Sequence, residues 1–153
     1  MSAFGRREDL QLGVRQLGMD PALTCWSQTN DESAAVILIY SDRNPGDYYL
    51  FDAQTNQLQF LTTAMPKVDP SGLMPMTPLK FKSRDGHDMV GYLTLPAMAE
   101  GDPLPPLVVN PHGGPIGVRD RWRYNSEVQL LAQEGFAVLQ VNFRGSGGYG
   151  RNW

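Results

Sequence analysis

The sequence predicts an α/β fold in which antiparallel strands precede a strand–helix–strand unit. Three observations predict it: short strands separated by turn residues before about residue 63, a hairpin around Asp85-Gly86, and two apolar strands on either side of a capped helix after residue 106. The pattern changes near Pro78. We therefore expect two units, residues 1–78 and residues 79–153.

Composition argues against several classes of function. The net charge is −3 and basic residues are scattered, so the sequence gives no electrostatic reason to expect nucleic acid as a partner. No apolar run approaches the roughly 18 residues of a membrane span. The single cysteine, Cys25, excludes an internal disulfide and a multi-cysteine metal site, and its strand-like neighbours predict a buried, inert thiol. We expect a cytoplasmic protein without a metal or cofactor, and the sequence leaves its oligomeric state open.

The first 78 residues are typical of a meander of short strands. Leu10, Val14 and Leu17 fall at helical spacing and predict a short helix at the start, although glycines interrupt the pattern. Strands are predicted at 35–40, 48–51 and 58–61, with turns at 42–47 and 52–56. This is about the content of one blade of a β-propeller. The segment 65–78 is rich in Pro, Met and Gly and predicts a linker.

A hairpin opens the second unit. Strands are predicted at 79–82 and 89–95, and Asp85-Gly86 at the tip suits the positive φ angles of a type I′ turn. The turn chemistry and the strand pattern therefore agree on an antiparallel pair.

A βαβ unit follows the hairpin. The predicted elements are a strand at 107–110, a helix at about 126–134, and an apolar strand at 136–141 that is covered on both faces, as parallel strands are. Asn125 or Ser126 suits the N-cap, and Gly135 suits the position just past the helix end. We expect the crossover to be right-handed. The predicted buried face of the helix consists of Val128, Leu131 and Ala132.

The sequence His112-Gly113-Gly114 directly follows the first strand of that unit. Paired glycines let the backbone approach a ligand closely. In α/β-hydrolases an HGG-type loop after the third strand gives one backbone N–H to the oxyanion hole, where losing one donor costs about 10²–10³-fold in rate. The structural alternative is a tight turn in which the glycines only supply backbone freedom. For His112 the alternatives are a residue that orients the loop, a buried histidine at a strand end, or a proton-transfer group.

A second glycine-rich loop follows the second strand. Gly145, Gly147 and Gly150 match the spacing G-x-G-x-x-G of dinucleotide-binding proteins. Arg144 before the first glycine, and the hairpin in place of an earlier βαβ unit, argue against that interpretation. The alternative is a wide loop at the carboxyl edge of the sheet that Arg144 holds through an ion pair.

A catalytic triad cannot be completed from this sequence. A nucleophile elbow needs G-x-S-x-G, and Arg144 occupies the first glycine position relative to Ser146. The order serine, acid, histidine needs a histidine downstream, and none follows His112. We interpret Asp120 as a surface carboxylate paired with Arg119.

Four segments together resemble the prolyl oligopeptidase family (S9) of serine peptidases, nearest its acylaminoacyl-peptidase and dipeptidyl-peptidase-like branch. The segments are 81–86, 91–96, 111–115 and 141–150. The resemblance implies the N-terminal part of an α/β-hydrolase domain, preceded by strands resembling the last blade of a β-propeller. It also implies hydrolysis of short peptides through an acyl-enzyme.

For the site, the resemblance implies that the loop His112-Gly113-Gly114 contributes a backbone N–H, that of Gly114, to the oxyanion hole. The nucleophile, acid and base would lie in sequence downstream of this chain. The chain would then be an internal or truncated fragment, inactive alone. Two alternatives stay open: a catalytically dead interaction module on a hydrolase scaffold, and an oxidoreductase that binds a dinucleotide through Gly145, Gly147 and Gly150.

Overall fold

The computed structural model of the chain describes residues 22–114 and 117–150. The chain divides by its contacts into two units, Met1–Pro70 and Ser71–Trp153. This boundary precedes the sequence estimate at Pro78, because Pro78 lies inside a strand of the second unit. The predicted helix through Leu10, Val14 and Leu17 lies outside the described residues.

The first unit contains a four-stranded antiparallel meander in the order β1-β2-β3-β4. The strands are β1 (Ala22–Gln28), β2 (Ala34–Tyr40), β3 (Asp47–Asp52) and β4 (Gln57–Thr63). The three predicted strands are therefore confirmed as β2, β3 and β4. Alternate residues of β2 form the core, since Ala35, Ile37 and Ile39 are buried against side chains of β3 and β4.

The prediction of a buried Cys25 is wrong, because this thiol is exposed. Cys25 lies in β1, which pairs only with β2 in this sheet and therefore forms its edge. A bulge between Cys25 and Ser27 shifts the register there. Strand-like neighbours indicate a strand, but they do not indicate whether a facing layer covers it.

The second unit contains a mixed four-stranded sheet in the order β5-β6-β8-β7. Its strands are β5 (Met76–Lys82), β6 (Asp88–Thr94), β7 (Leu107–Val109) and β8 (Ala137–Asn142). The pairs β5/β6 and β6/β8 are antiparallel, whereas β7 and β8 are parallel. The predicted linker is partly packed in this unit, since Leu73 and Met76 are buried. Pro78 is tolerated in β5 because β5 is an edge strand.

The predicted hairpin is confirmed as β5 and β6, but its turn is not type I′. Type I′ requires positive φ at both central residues, and only Gly86 of the predicted pair has one, at 84°. The connection is longer than two residues because Lys82 pairs with Asp88. The hydroxyl of Ser83 organises this longer turn by accepting from the His87 N–H at 3.1 Å.

The helix α1 spans Ser126–Gln133, and Asn125 is its N-cap. The Asn125 side chain accepts from the backbone N–H groups of residues 127 and 128 at 3.0 and 3.2 Å. Gly135 has φ 90° just past the end, as predicted. Val128 and Ala132 are buried as predicted; Gln129 is the third buried residue, and Leu131 is only half-buried. Within residues 22–114 and 117–150, no helix is long and apolar enough to cross a membrane.

Candidate functional site

The two glycine-rich loops meet at one edge of the second sheet. β7 and β8 are parallel neighbours, so the loops that follow them leave from the same edge. The Gly147 N–H donates to the Val118 carbonyl at 2.9 Å, which joins the second loop to the segment at 117–120. An added Cβ at Gly147 would collide with the backbone of Gly117, so glycine is required for this approach.

The loop His112-Gly113-Gly114 starts just after the last sheet hydrogen bond of its strand. The Asn110 N–H donates to the Leu139 carbonyl at 2.9 Å. Beyond it, Gly113 and Gly114 are exposed. Within residues 22–114 and 117–150, the N–H groups of these two glycines donate to no backbone or side-chain acceptor. Two N–H groups without an acceptor in the described part of the chain thus lie near the carboxyl edge of the sheet.

Gly114 has two separate reasons to be glycine. Its φ is 88°, in the left-handed region that side chains disfavour. An added Cβ would also lie 2.8 Å from Cγ2 of Val118. Gly113 has neither constraint, because a Cβ there would meet no atom within 4 Å.

His112 is half-buried and holds this loop against the second loop. Its ring stacks on Phe143 with centroids 4.4 Å apart. Nε2 lies 2.7 Å from Oγ of Ser146, and Nδ1 lies 3.1 Å from the Gly113 carbonyl oxygen. Of the three alternatives for His112, this geometry favours a residue that orients the loop. The sequence carried no signal for the Ser146 contact, because the two residues lie far apart along the chain.

The pair Ser146–His112 has the separation of a nucleophile and its base. Ser146, however, is only 5% exposed. Its N–H also donates to the Phe143 carbonyl at 3.0 Å, inside the turn that follows β8. A substrate carbonyl has no access to this hydroxyl, so the geometry supports a structural contact and not a catalytic pair.

A buried polar network around Asn142 holds the segments next to the two loops in place. Asn142, fully buried at the end of β8, accepts from the Asp120 N–H at 2.8 Å and donates to the Asp120 carbonyl at 3.1 Å. The same amide donates to the Tyr149 hydroxyl at 2.9 Å. Asn142 thereby fixes the segment before α1 and the second glycine loop together.

Asp120 faces inward, so the predicted surface pair with Arg119 is wrong. Its Oδ1 accepts from Nε2 of Gln140 at 2.8 Å. Burial raises the pKa of the Asp120 carboxyl, and the Gln140 hydrogen bond opposes that rise. Arg119 instead places its guanidinium 5.6 Å from the ring centroid of Tyr149.

The predicted ion pair of Arg144 is confirmed. Its Nη1 lies 2.5 Å from Oδ2 of Asp85 at the hairpin tip. The pKa of the Asp85 carboxyl lies below its usual value because the Ser83 hydroxyl and the Arg144 guanidinium donate hydrogen bonds to it. This pair connects the start of the second glycine loop to the β5–β6 hairpin.

The hydrogen bonds of the second glycine-rich loop argue against a dinucleotide site. Phosphate binding by G-x-G-x-x-G needs free backbone N–H groups that point at the ligand. The amides of Ser146 and Gly147 are already used by carbonyls of residues 143 and 118. Two of the amides that the fingerprint would offer to a phosphate are therefore already bonded to carbonyls.

Comparison with known proteins identifies the relatives of this chain. The family model described as the prolyl oligopeptidase family matches residues 122–153. The dipeptidyl aminopeptidase BIII of Pseudoxanthomonas mexicana is 38% identical over 133 residues, which cover 83% of this chain and 19% of that protein.

Two solved structures resemble this chain in both sequence and fold. A puromycin-hydrolyzing peptidase of Mycobacterium tuberculosis is 27% identical with a TM-score of 0.65, over 78% of this chain and 19% of that one. The acylaminoacyl peptidase of Pyrococcus horikoshii is 29% identical with a TM-score of 0.57, over 76% of this chain and 18% of that one. The chain thus spans about a fifth of the length of these relatives.

These relatives are peptidases, and that is the class of protein to which the matches point. Within that class, this chain belongs to the prolyl oligopeptidase family, S9. The resemblance drawn from the four sequence segments is thereby confirmed.

Proposed function

We propose that this chain supplies one donor, the Gly114 N–H, to the oxyanion hole of an S9 serine peptidase. The observation that carries the proposal is the exposed pair Gly113 and Gly114, whose amides have no acceptor among the described residues and which lies just after a parallel strand ends. Such donors stabilise the negative oxygen that develops when a carbonyl is attacked. The left-handed φ of Gly114 and the contact between His112 and Ser146 support a loop of fixed shape.

In this proposal the second unit is the N-terminal portion of an α/β-hydrolase domain. The meander of the first unit belongs to the last blade of a β-propeller. The nucleophile, acid and base lie in sequence beyond this chain, so the chain alone is inactive. The substrates of the complete protein are short peptides, since the relatives named above are peptidases.

The proposed chemistry is acyl transfer. The serine attacks the peptide carbonyl, the carbonyl oxygen becomes an oxyanion, and the C–N bond breaks to leave an acyl-enzyme that water hydrolyses. The part of this chain is electrostatic: a preorganised N–H at the oxyanion needs no reorganisation during the reaction. His112 positions that N–H and transfers no proton.

The test compares two glycine variants in the complete protein that contains this chain. Gly114→Ala introduces a Cβ against Val118 at φ 88°. Gly101→Ala is the matched control, because Gly101 has φ 93° but an added Cβ there meets no atom within 4 Å. We expect kcat/KM for a peptide nitroanilide to fall about 10²-fold in Gly114→Ala, the effect of losing one oxyanion donor, and to stay near the wild-type value in Gly101→Ala.

Thermal unfolding separates this effect from general strain. Both variants place a side chain at positive φ and should unfold at lower temperature. If Gly114→Ala loses stability and keeps the wild-type kcat/KM, the oxyanion role is refuted. Labelling by a fluorophosphonate tests the reaction class: the complete protein should be labelled and the isolated chain should not. An unlabelled complete protein would instead support the catalytically dead interaction module.

A further inference from the structure

The contact between Ser146 and His112 has a consequence for the proposed oxyanion donor, and what we infer from it rests on that proposed function. The two nitrogens of His112 have different partners. Nδ1 faces the Gly113 carbonyl oxygen at 3.1 Å, and Nε2 faces Oγ of Ser146 at 2.7 Å. A carbonyl can only accept, so Nδ1 must carry a proton and donate.

The partner of Nδ1 fixes the tautomer of the neutral ring. With the proton on Nδ1, Nε2 has a lone pair and accepts. The Ser146 hydroxyl can donate or accept, and it donates here because Nε2 carries no proton in this tautomer. The opposite tautomer would place two lone pairs against each other at Gly113. The Gly113 carbonyl therefore favours this tautomer of His112, and the Ser146 hydroxyl stabilises it by donating to Nε2.

The hydrogen bond at Gly113 orients the next amide. The Gly113 carbonyl and the Gly114 N–H belong to one peptide group, and in a trans peptide they point in opposite directions. A carbonyl held toward the His112 ring therefore directs the Gly114 N–H away from that ring. Rotation of this peptide would be the simplest way to lose the donor, because the space beside the Gly113 Cα is open: a Cβ added there would meet no atom within 4 Å.

Ser146 is held in place well enough to anchor the His112 ring. It is 5% exposed, and its N–H is bonded to the Phe143 carbonyl at 3.0 Å. The Phe143 ring also stacks on His112, at a centroid distance of 4.4 Å. The next residue, Gly147, is bonded to Val118 at 2.9 Å. The hydroxyl thus projects from a segment that is held on both sides.

We propose that Ser146 is a positioning residue: through His112 it fixes the orientation of the Gly113–Gly114 peptide and so of the oxyanion donor. Ser146 does not touch the substrate. Its effect should fall on the transition state, where the oxyanion exists, and not on ground-state binding.

The test uses Ser146→Ala and Ser146→Thr in the complete protein. Ser146→Ala removes the donor to Nε2, whereas Ser146→Thr keeps a hydroxyl. Ser41→Ala is the control in the other unit, where the Ser41 hydroxyl accepts from the Arg43 N–H at 3.1 Å. Three quantities are measured: kcat, KM, and the inhibition constant of a peptidyl aldehyde, which forms a tetrahedral oxyanion on the enzyme.

For Ser146→Ala we expect kcat to fall about 10-fold or more, a part of the 10²–10³-fold effect of losing a donor outright. The aldehyde should bind more weakly by a similar factor while KM stays unchanged. Ser146→Thr should restore most of both losses, and Ser41→Ala should match the wild type. If Ser146→Ala changes kcat and aldehyde binding less than about two-fold, far below that donor effect, the proposal is wrong. A parallel loss of kcat, KM and melting temperature without rescue by threonine would show a merely structural role.

The ¹⁵N shifts of the histidine rings give a readout independent of activity. In the wild type, Nδ1 of His112 should appear protonated and Nε2 unprotonated, and Ser146→Ala should bring the two shifts closer together. The signal is assigned by its loss in His112→Gln. If the wild-type protein neither turns over peptides nor binds the aldehyde, the proposed function fails. Unchanged His112 shifts in Ser146→Ala would overturn the positioning role in either case.

Discussion

At the scale of single residues, Asp120 combines a fixed backbone with an unsatisfied carboxylate oxygen. Its Oδ2 is buried and has no hydrogen-bond partner within the part of the chain that the structure describes. Burial raises the pKa of this carboxyl, so the folded protein holds the proton more tightly than the unfolded chain does. The ionised form therefore costs stability, and this cost grows as pH rises from the ordinary pKa of 3.8 through the raised value.

We predict that Asp120→Asn removes this pH-dependent cost. An asparagine keeps an oxygen to accept from Gln140 and places no charge at the buried position. The melting temperature of the variant relative to the wild type should rise as pH increases from the ordinary pKa of 3.8 through the raised one, because the wild-type carboxyl ionises over that interval. The measurement is thermal unfolding of the complete protein at several pH values.

Asp88→Asn is the control with the opposite sign. A hydrogen bond and the charge of Lys82, 2.7 Å away, hold the pKa of Asp88 below its usual value. Its stabilising effect is present above the ordinary pKa and is lost as pH falls through the lowered one. Asp88→Asn should therefore melt lower than the wild type at neutral pH and converge with it in acid. Equal pH profiles for both variants would contradict the assignment of a buried, costly charge to Asp120.

At the scale of elements, one glutamine fastens the helix to the segment that leads into β5. Gln129 is 2% exposed, although a helix face against a sheet normally consists of apolar side chains. Its Oε1 accepts from the Met74 N–H and its Nε2 donates to the Met74 carbonyl, both at 2.8 Å. The amide thereby pairs with the backbone as a neighbouring strand would.

We predict that Gln129→Leu destabilises the unit despite its more apolar side chain. The change removes the side-chain partners of two backbone groups of the half-buried Met74, and an unsatisfied group costs up to about 1–3 kcal/mol when it is fully buried. Gln133→Leu, one turn further on, is the matched control. Gln133 is exposed, and its side chain donates to the Gly72 carbonyl at 3.3 Å. Urea unfolding should show a large loss of unfolding free energy for Gln129→Leu and a small one for Gln133→Leu. Equal losses would contradict the role of Gln129 in holding the helix to Met74.

At the scale of the whole molecule, the second sheet presents an apolar face at its β7 edge. Leu107 and Val109 are each 56% exposed, and β7 pairs only with β8, so its other side is unpaired within the described residues. Exposed apolar edge strands favour association with other chains. The helix α1 contacts β6 and β8.

We predict that the isolated chain self-associates. Its apparent size should grow with concentration in light scattering, and it should bind a hydrophobic dye. Replacing Leu107 and Val109 together by threonine should reduce both signals. Leu104→Thr is the control, because Leu104 is 92% exposed but lies in a loop outside the sheet. A sharp, cooperative melt of a monomeric wild-type chain would contradict the prediction.

The amino-acid sequence was sufficient for features that depend on neighbours along the chain. A continuous apolar run predicted β2, Asn125 and Gly135 predicted the ends of α1, and the two glycine loops were placed after the right strands. The turn at Asp85-Gly86 is an exception. Its type was predicted wrongly, because the Ser83 hydroxyl accepts from the His87 N–H and so stabilises a longer turn. Local chemistry explains these features because each is decided within a few residues.

Contacts between distant residues, in contrast, came from the folded arrangement of the strands. Folding inserted β8 between β6 and β7, brought Ser146 to His112, and turned Asp120 inward onto Gln140. None of these contacts has a periodicity or spacing in the sequence. They follow from the way the strands pair and from the need to satisfy buried polar groups, which is a property of the folded sheet as a whole.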